Sequence, residues 1–253
     1  MGIVAVIPAR FGSTRLPGKP LLSDTGRPLI QHVVEAARRA KSLDRVLVAT
    51  DDERIADAVA GFGGEFVMTR ADHPTGTDRV AEVAAGLAEA RIIVNLQGDE
   101  PEISGAALDR VVALLDDDPE APMATLATPI RSEAVYRDPS CVKVVLSRSG
   151  RALYFSRSPI PHYRDALPNP ARTEPPLAYL HLGLYAYRRD FLLGLASLPP
   201  SPLESAERLE QLRVLQAGYP IAVGLVDEPS IGIDTPDDYR RFVERWRSKG
   251  VSL

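Results

Sequence analysis

IVAVIPARFGSTRLPGKP, from Ile3 to Pro20, joins an unbroken apolar run to a basic, glycine-bearing loop. Five apolar residues, Ile3 to Ile7, read as a strand buried on both faces, the pattern of a parallel sheet. Pro8 is expected to end that strand, because proline has no N–H for a sheet ladder. Arg10, Arg15 and Lys19 follow, set among Gly12, Ser13, Pro17 and Gly18. Such a loop offers backbone N–H groups, a hydroxyl and positive charge within a short length of chain. A polyphosphate needs those groups, since its charge is spread over many oxygens. The plainer alternative is a solvated basic loop, because lone motifs are weak signals. Two sharper readings fail on spacing. The phosphate loop of P-loop NTPases needs four residues between its glycines, then Lys and Ser or Thr. Gly12 and Gly18 stand one residue too far apart, and Pro20 follows Lys19. The fingerprint G-x-G-x-x-G of dinucleotide-binding turns is absent from this turn.

The 253 residues are 45% hydrophobic and 25% charged, which suits one large α/β domain or a domain with an arm. A net charge of −4 gives no global attraction to nucleic acid, and no such partner is expected. No apolar run is long enough to cross a membrane, and the start of the chain lacks the features of a secretion signal. A lone cysteine, Cys141, excludes an internal disulfide and any cysteine-rich zinc site and fits a reducing cytoplasm.

Strands and helices alternate through the first half. Helical spacing covers Pro28–Ala40, a short apolar run Arg45–Ala49, and Thr50 to Asp52 offer caps for a helix reaching Ala60. Glu65–Met68 reads as a weaker strand, Thr77–Ala88 as a helix, Ile92–Leu96 as a strand, Ser104–Leu115 as a helix and Met123–Thr128 as extended. That order predicts a mostly parallel sheet with helices on both faces. The second half is less regular. Val142–Leu146 and Ala152–Ser156, around Ser149-Gly150, predict an antiparallel hairpin. Pro159–Pro176 reads as a loop or arm, His181–Tyr187 as a strand, Pro202–Ala217 as one helix closed by Gly218, and Ile221–Val226 as a last strand. Thr235 is placed to cap a terminal helix ending near Lys249. The division expected is a nucleotide-binding part over about 1–140, a second part over about 141–220 and a C-terminal strand and helix over 221–253.

In open α/β sheets, ligands sit beyond the carboxyl ends of the strands, and the polar blocks of this chain fall at such ends. VNLQGDEP, Val94 to Pro101, is either a turn with a helix cap or a carboxylate site for Mg²⁺, which prefers hard oxygen ligands. The residues alone leave Asp99 and Glu100 open as the ligand. IGIDTPDD, Ile231 to Asp238, is on its face an ordinary helix start, and TRADHPTGTDR, Thr69 to Arg79, a polar loop with a cap. FSR at Phe155 to Arg157, LHLG at Leu180 to Gly183 with Tyr185, and LEQLR at Leu209 to Arg213 are each mundane alone.

Together these blocks resemble the 3-deoxy-manno-octulosonate cytidylyltransferases, the CMP-Kdo synthetases, over nearly the whole chain; the match is densest from Ile7 to Leu21. The resemblance implies a Rossmann-like α/β nucleotidyltransferase fold with an antiparallel hairpin or arm inserted. It implies transfer of CMP from CTP to the acidic sugar 3-deoxy-D-manno-octulosonate (Kdo), releasing pyrophosphate, for lipopolysaccharide biosynthesis. The CTP residues implied are Ala9, Arg10, Ser13, Arg15, Lys19, Gly76, Arg79 and Gln97. Lys19, Asp99 and Asp234 are the implied catalytic residues, with Asp99 and Asp234 as ligands of Mg²⁺. Arg157, His181, Tyr185, Glu210 and Gln211 are implied for the sugar: a guanidinium for its carboxylate, and donors and acceptors for its hydroxyls. A cytoplasmic homodimer assembled through Val142–Pro176 is also implied. Leu180 departs from the arginine of many members, and Pro74-Thr75 from a Gln-Ser seen in some. The rival readings are a sister synthetase for 8-amino-Kdo or sialic acid, and a non-catalytic nucleotide sensor on the same fold. Loss of either aspartate would favour the sensor, and both are present.

Overall fold

The computed structural model describes residues 2–12, 15–165, 169–170, 173–176, 178–195, 197–227 and 230–250. Ser13 lies outside the described residues. The chain forms two compact units, Met1–Asp109 with Ser230–Leu253, and Arg110–Pro229.

In the first unit the strands are β1 (Gly2–Ala9), β2 (Arg45–Thr50), β3 (Glu65–Met68) and β4 (Ala90–Asn95). They lie in the order β3-β2-β1-β4, every pairing parallel. The intervening helices are α1 (Leu29–Ala37), α2 (Glu53–Gly61) and α3 (Gly76–Ala85); α4 (Gly105–Asp117), after β4, has residues in both units. Val4 to Ile7 are buried, as the unbroken apolar run requires of a central parallel strand. Pro8 does not end β1, contrary to expectation; it pairs with Ala49, and the strand runs on to Ala9. The pairing with β4 stops at Val6 and Asn95, so at Pro8 the strand is bordered on one side only, where a missing N–H is tolerated.

Helix starts in this unit are local. Asp52 accepts from the Arg54 N–H to cap α2, and Thr75 accepts from the Asp78 N–H to cap α3. The C-terminal helix Pro236–Ser248 opens on a reciprocal box between Thr235 and Asp238. Its Tyr239, Phe242 and Val243 bury with Leu29 of α1, Ile233, and Leu16 from the basic loop. One apolar cluster thus pins the middle of that loop and the approach to the last helix.

In the second unit β5 (Met123–Pro129) is followed by α5 (Glu133–Arg137), β6 (Lys143–Leu146), β7 (Ala152–Ser156) and β8 (Tyr179–Arg188). Then come α6 (Arg189–Leu195), α7 (Pro202–Glu207), α8 (Gln211–Gln216) and β9 (Ile221–Leu225). β5 pairs antiparallel with β8 and parallel with β9. β6 and β7 form the expected hairpin, with Gly150 at φ 79 in its turn, and β6 also pairs with β8. The short helices α5 and α6 were not legible in the sequence.

The single helix expected over Pro202–Ala217 is two helices, broken at Arg208, whose φ is 52. A continuous helix would commit the Glu207 carbonyl to the N–H four residues on. That carbonyl instead accepts from Arg157 Nε at 2.8 Å. Glu204 and Arg213 bind across the break through paired contacts of 2.7 Å. No glycine or proline marks the interruption, so apolar spacing alone reads straight through it.

Candidate active site

The first unit brings three of the expected residues to one point. Lys19 begins a short 3-10 turn, Lys19–Leu21, entered from Gly18 at φ 66, a left-handed conformation that glycine adopts without strain. Its ammonium donates to Asp99 Oδ2 at 2.7 Å, to the Ile233 carbonyl at 2.7 Å and to Asp234 Oδ1 at 3.4 Å. An ammonium has three donors, and all three point at oxygen. Arg15 reaches the same Asp234 oxygen at 3.1 Å from an exposed position. The Ile233 N–H donates to the Asp99 carbonyl at 2.9 Å, which ties the loop after β4 to the segment before the last helix. Gly98 is needed in that loop, because a Cβ there would lie 3.0 Å from the Pro8 carbonyl.

Of the two neighbouring acids, Asp99 is the one that shares the ammonium with Asp234. Burial, and after it the Asp99 charge, push the Glu100 carboxyl up to about 7. Two carboxylates and a carbonyl converging on one cationic atom form a hard-oxygen donor set. Mg²⁺ is commonly held by one or two carboxylates together with substrate phosphate, so these residues fit it.

The other residues expected for the nucleotide lie near the ends of the first unit's strands. Ala9 closes β1 buried beside Thr50, and Arg10 leaves it exposed. Gly76 opens α3 against Pro8, where a Cβ would meet the proline ring at 3.4 Å. Gln97 follows β4 half-buried. Arg79 is buried, and its guanidinium binds Thr69 Oγ1 at 2.6 Å and Asp51 at 2.9 Å. Asp51 and Thr69 were read only as a cap and a polar loop, and the signal that makes them partners of Arg79 is spatial.

The second unit gathers His181, Tyr185, Glu210 and Gln211. β8 carries a bulge opposite Thr125 and Leu126, where Tyr185 pairs with Thr125 and Leu182 with Leu126. The Thr125 hydroxyl lies 2.8 Å from the Leu184 carbonyl and 3.0 Å from His181 Nε2. With its single proton on that carbonyl, the hydroxyl accepts from His181 Nε2–H, and Nδ1 stays an acceptor. Burial lowers His181 to about 3, which keeps the imidazole neutral. The Tyr185 ring lies 5.4 Å from that of His181, and its hydroxyl is pushed up by burial and then by the Glu210 charge. Gln211 begins α8 with its side-chain nitrogen buried and without a hydrogen-bond partner among the described residues. Such a donor is costly to bury unless a ligand completes it.

Arg157 follows β7 with most of its guanidinium already placed. Nε donates to the Glu207 carbonyl at 2.8 Å and Nη1 to the Pro139 carbonyl at 3.1 Å. The Glu207 carboxylate accepts from Ser156 Oγ at 2.6 Å and from the Arg157 N–H at 2.9 Å. Lys143 is fully buried and donates to the carbonyls of Asp138 and Arg157. Sequence reasoning missed Thr125, Lys143 and Glu207. Lys143 and Thr125 carry a faint signal as polar residues inside strands, and Glu207 carries none.

A family model described as cytidylyltransferase matches residues 4–223 of this chain. A 3-deoxy-manno-octulosonate cytidylyltransferase of Syntrophotalea carbinolica is 55% identical over 243 residues, covering 95% of this chain and 97% of that protein. One of the same name from Geobacter sulfurreducens is 51% identical over 250 residues, covering 97% and 99%. Among solved structures, a CMP:2-keto-3-deoxy-manno-octonic acid synthetase complexed with CTP superposes with a TM-score of 0.91 at 46% identity, covering 98% of this chain and 100% of that one.

Proposed function

This chain belongs to the 3-deoxy-manno-octulosonate cytidylyltransferase family, and from that membership we propose that it transfers CMP from CTP to Kdo and releases pyrophosphate. The observation that carries the reading is the Lys19 ammonium, fixed at one point by Asp99, Asp234 and the Ile233 carbonyl at the end of the basic loop. In the reaction the anomeric hydroxyl oxygen of the sugar bonds to the α-phosphorus, the bond from that phosphorus to the β-phosphate oxygen breaks, and the hydroxyl proton is lost. Direct displacement of this kind needs positioning and charge neutralisation rather than a covalent enzyme intermediate.

Arg10, Arg15 and Lys19 bind the outer phosphates in this reading, Lys19 by exchanging contacts with the two carboxylates for phosphate oxygen and Arg15 from an exposed position. The N-terminus of α3, with Gly76 packed on Pro8, and Gln97 border the nucleotide. Arg79, held by Asp51 and Thr69, buttresses that border from inside. Asp99 and Asp234 hold Mg²⁺, which when bound neutralises phosphate charge and acidifies the attacking hydroxyl. For the sugar, His181 Nδ1 and Glu210 accept from hydroxyls, the Gln211 amide donates, and Arg157 turns its remaining N–H groups to the carboxylate.

A homodimer assembled through Val142–Pro176, acting in the cytoplasm, belongs to the same proposal. Its support is the family resemblance and the length of a segment too long for an ordinary connection. Sedimentation at micromolar concentration should give a dimer, and a monomer there refutes the assembly. The substrate reading is tested by pyrophosphate release with CTP across Kdo, 8-amino-Kdo and sialic acid. Release with Kdo and little with sialic acid supports it; efficient use of sialic acid, or release with no sugar tried, overturns it.

A further inference from the structure

Phe11 and Arg54 have no part in the chemistry above, yet they meet at the base of the basic loop. The Gly18 N–H donates to the Phe11 carbonyl at 3.2 Å, which closes the loop on itself just before Lys19. The Phe11 ring lies against Gly18, where a Cβ would come within 3.2 Å of the ring carbons. On the ring sits the Arg54 guanidinium, with Cζ 3.5 Å from the centroid. That guanidinium is oriented from behind. Nε donates to Asp52 Oδ1 at 2.9 Å and Nη2 to Oδ2 at 2.6 Å, while the same carboxylate caps α2. A planar fork held at both oxygens keeps its face parallel to one surface, as stacking requires.

We infer that Arg54 and Phe11 are positioning residues for the nucleotide, a clamp by which α2 holds Phe11, and through it the Gly18–Lys19 turn, in place for phosphate binding. Leu16 anchors the middle of the loop in the apolar cluster, and Phe11 anchors its base. Without the base anchor, Arg10 and the Gly18–Lys19 turn lose their common support. Arg54 itself is engaged with Asp52, so it acts through Phe11 and not by touching phosphate. The inference rests on the reading of Arg10–Lys19 as the phosphate loop.

The experiment uses the full chain and measures CTP affinity by calorimetry, together with KM for CTP and for Kdo. Arg54 is exposed on α2, so Arg54→Gln should leave the fold intact. It should weaken CTP binding by about fivefold, the scale of one stacked cation. KM for Kdo should stay unchanged, and Arg54→Lys should recover part of the loss, since an ammonium also lies well over a ring. Phe11→Leu should match Arg54→Gln, and the double variant should be no worse than either single one. A merely structural stack would lower the melting temperature and leave CTP affinity alone. Unchanged CTP affinity in Arg54→Gln, or additive losses in the double variant, overturns the clamp. Lys19→Ala serves as the control: if it alone loses CTP affinity, only the clamp falls, and if it too binds CTP normally, the phosphate-loop reading falls with it.

Discussion

Lys19 is tightly held, with oxygen at 2.7, 2.7 and 3.4 Å and its side chain only 14% exposed. Its two carboxylate partners are also the proposed Mg²⁺ ligands, so with CTP and the metal bound the ammonium would exchange contacts with them for phosphate oxygen beside them. Lys19→Ala should therefore cut turnover by about a hundredfold, roughly 3 kcal/mol. Circular dichroism should show an intact fold, and near-normal turnover in that folded variant would remove Lys19 from the mechanism. Arg15, whose contact with Asp234 is exposed, should matter much less to stability, since exposed ion pairs contribute little. For Arg157 the structure sharpens what the sequence suggested. Its Nε and Nη1 are fixed by the carbonyls of Glu207 and Pro139, and a lysine cannot hold both and still face a carboxylate. Arg157→Lys should raise KM for Kdo by about tenfold while KM for CTP stays near its original value. Equal shifts in both constants would make Arg157 a general structural residue. Lys19, Asp99 and Asp234 were singled out through long motifs that resemble the family's, and the structure brings the three together. Glu207 was not, because its role is to accept from Ser156 and Arg157, which lie far from it in sequence.

At the scale of elements, α1 carries a buried titratable group. The His32 ring lies edge-on to Phe242 and Trp246, and its Nε2 is 2.7 Å from Thr25 Oγ1. Burial lowers it to about 4, the Glu35 charge opposes that, and Arg27 adds to it. The folded protein therefore keeps His32 neutral where the unfolded chain takes up a proton below about 6.5. Stability from this residue is complete above that pH and declines as pH falls toward 4, by up to about 3 kcal/mol. Urea midpoints taken at pH 7.5 and 5 should show the loss, and His32→Gln should flatten it. An identical slope in the variant would place the pH dependence elsewhere. Apolar runs and caps made the strands and helices of the first unit readable, down to Asp52 among the expected caps of α2, while Thr75 as the cap of α3 was not singled out. The break between α7 and α8 and the bulge in β8 were hidden, since both are set by tertiary hydrogen bonds to Arg157 and Thr125 rather than by local propensity.

At the scale of the whole molecule, the proposed cluster of charge around Lys19, Asp99 and Asp234 would let CTP be attacked at its α-phosphorus by an acidic sugar. In that proposal Asp99 and Asp234 would hold the metal. Asp99→Asn and Asp234→Asn keep side-chain size and remove charge, so each should weaken Mg²⁺-dependent activity, and EDTA should stop the wild-type reaction. Persistence of the reaction in EDTA would exclude the two-carboxylate role. Fold class was legible from the alternation of apolar runs and helical spacing, whereas the position of the site rests on the rule that ligands lie beyond the carboxyl ends of strands and remains part of the proposal. The hydrogen-bond partners that hold Arg79, Arg157 and His181 in place became visible only once distant segments were folded together. Phosphorus NMR of the full chain with CTP, Kdo and Mg²⁺ tests the central claim most directly. The account predicts that the α-phosphate signal becomes that of a sugar phosphodiester while pyrophosphate appears in equal amount. Formation of CDP and inorganic phosphate, or of CMP and pyrophosphate with no sugar phosphodiester, would contradict it.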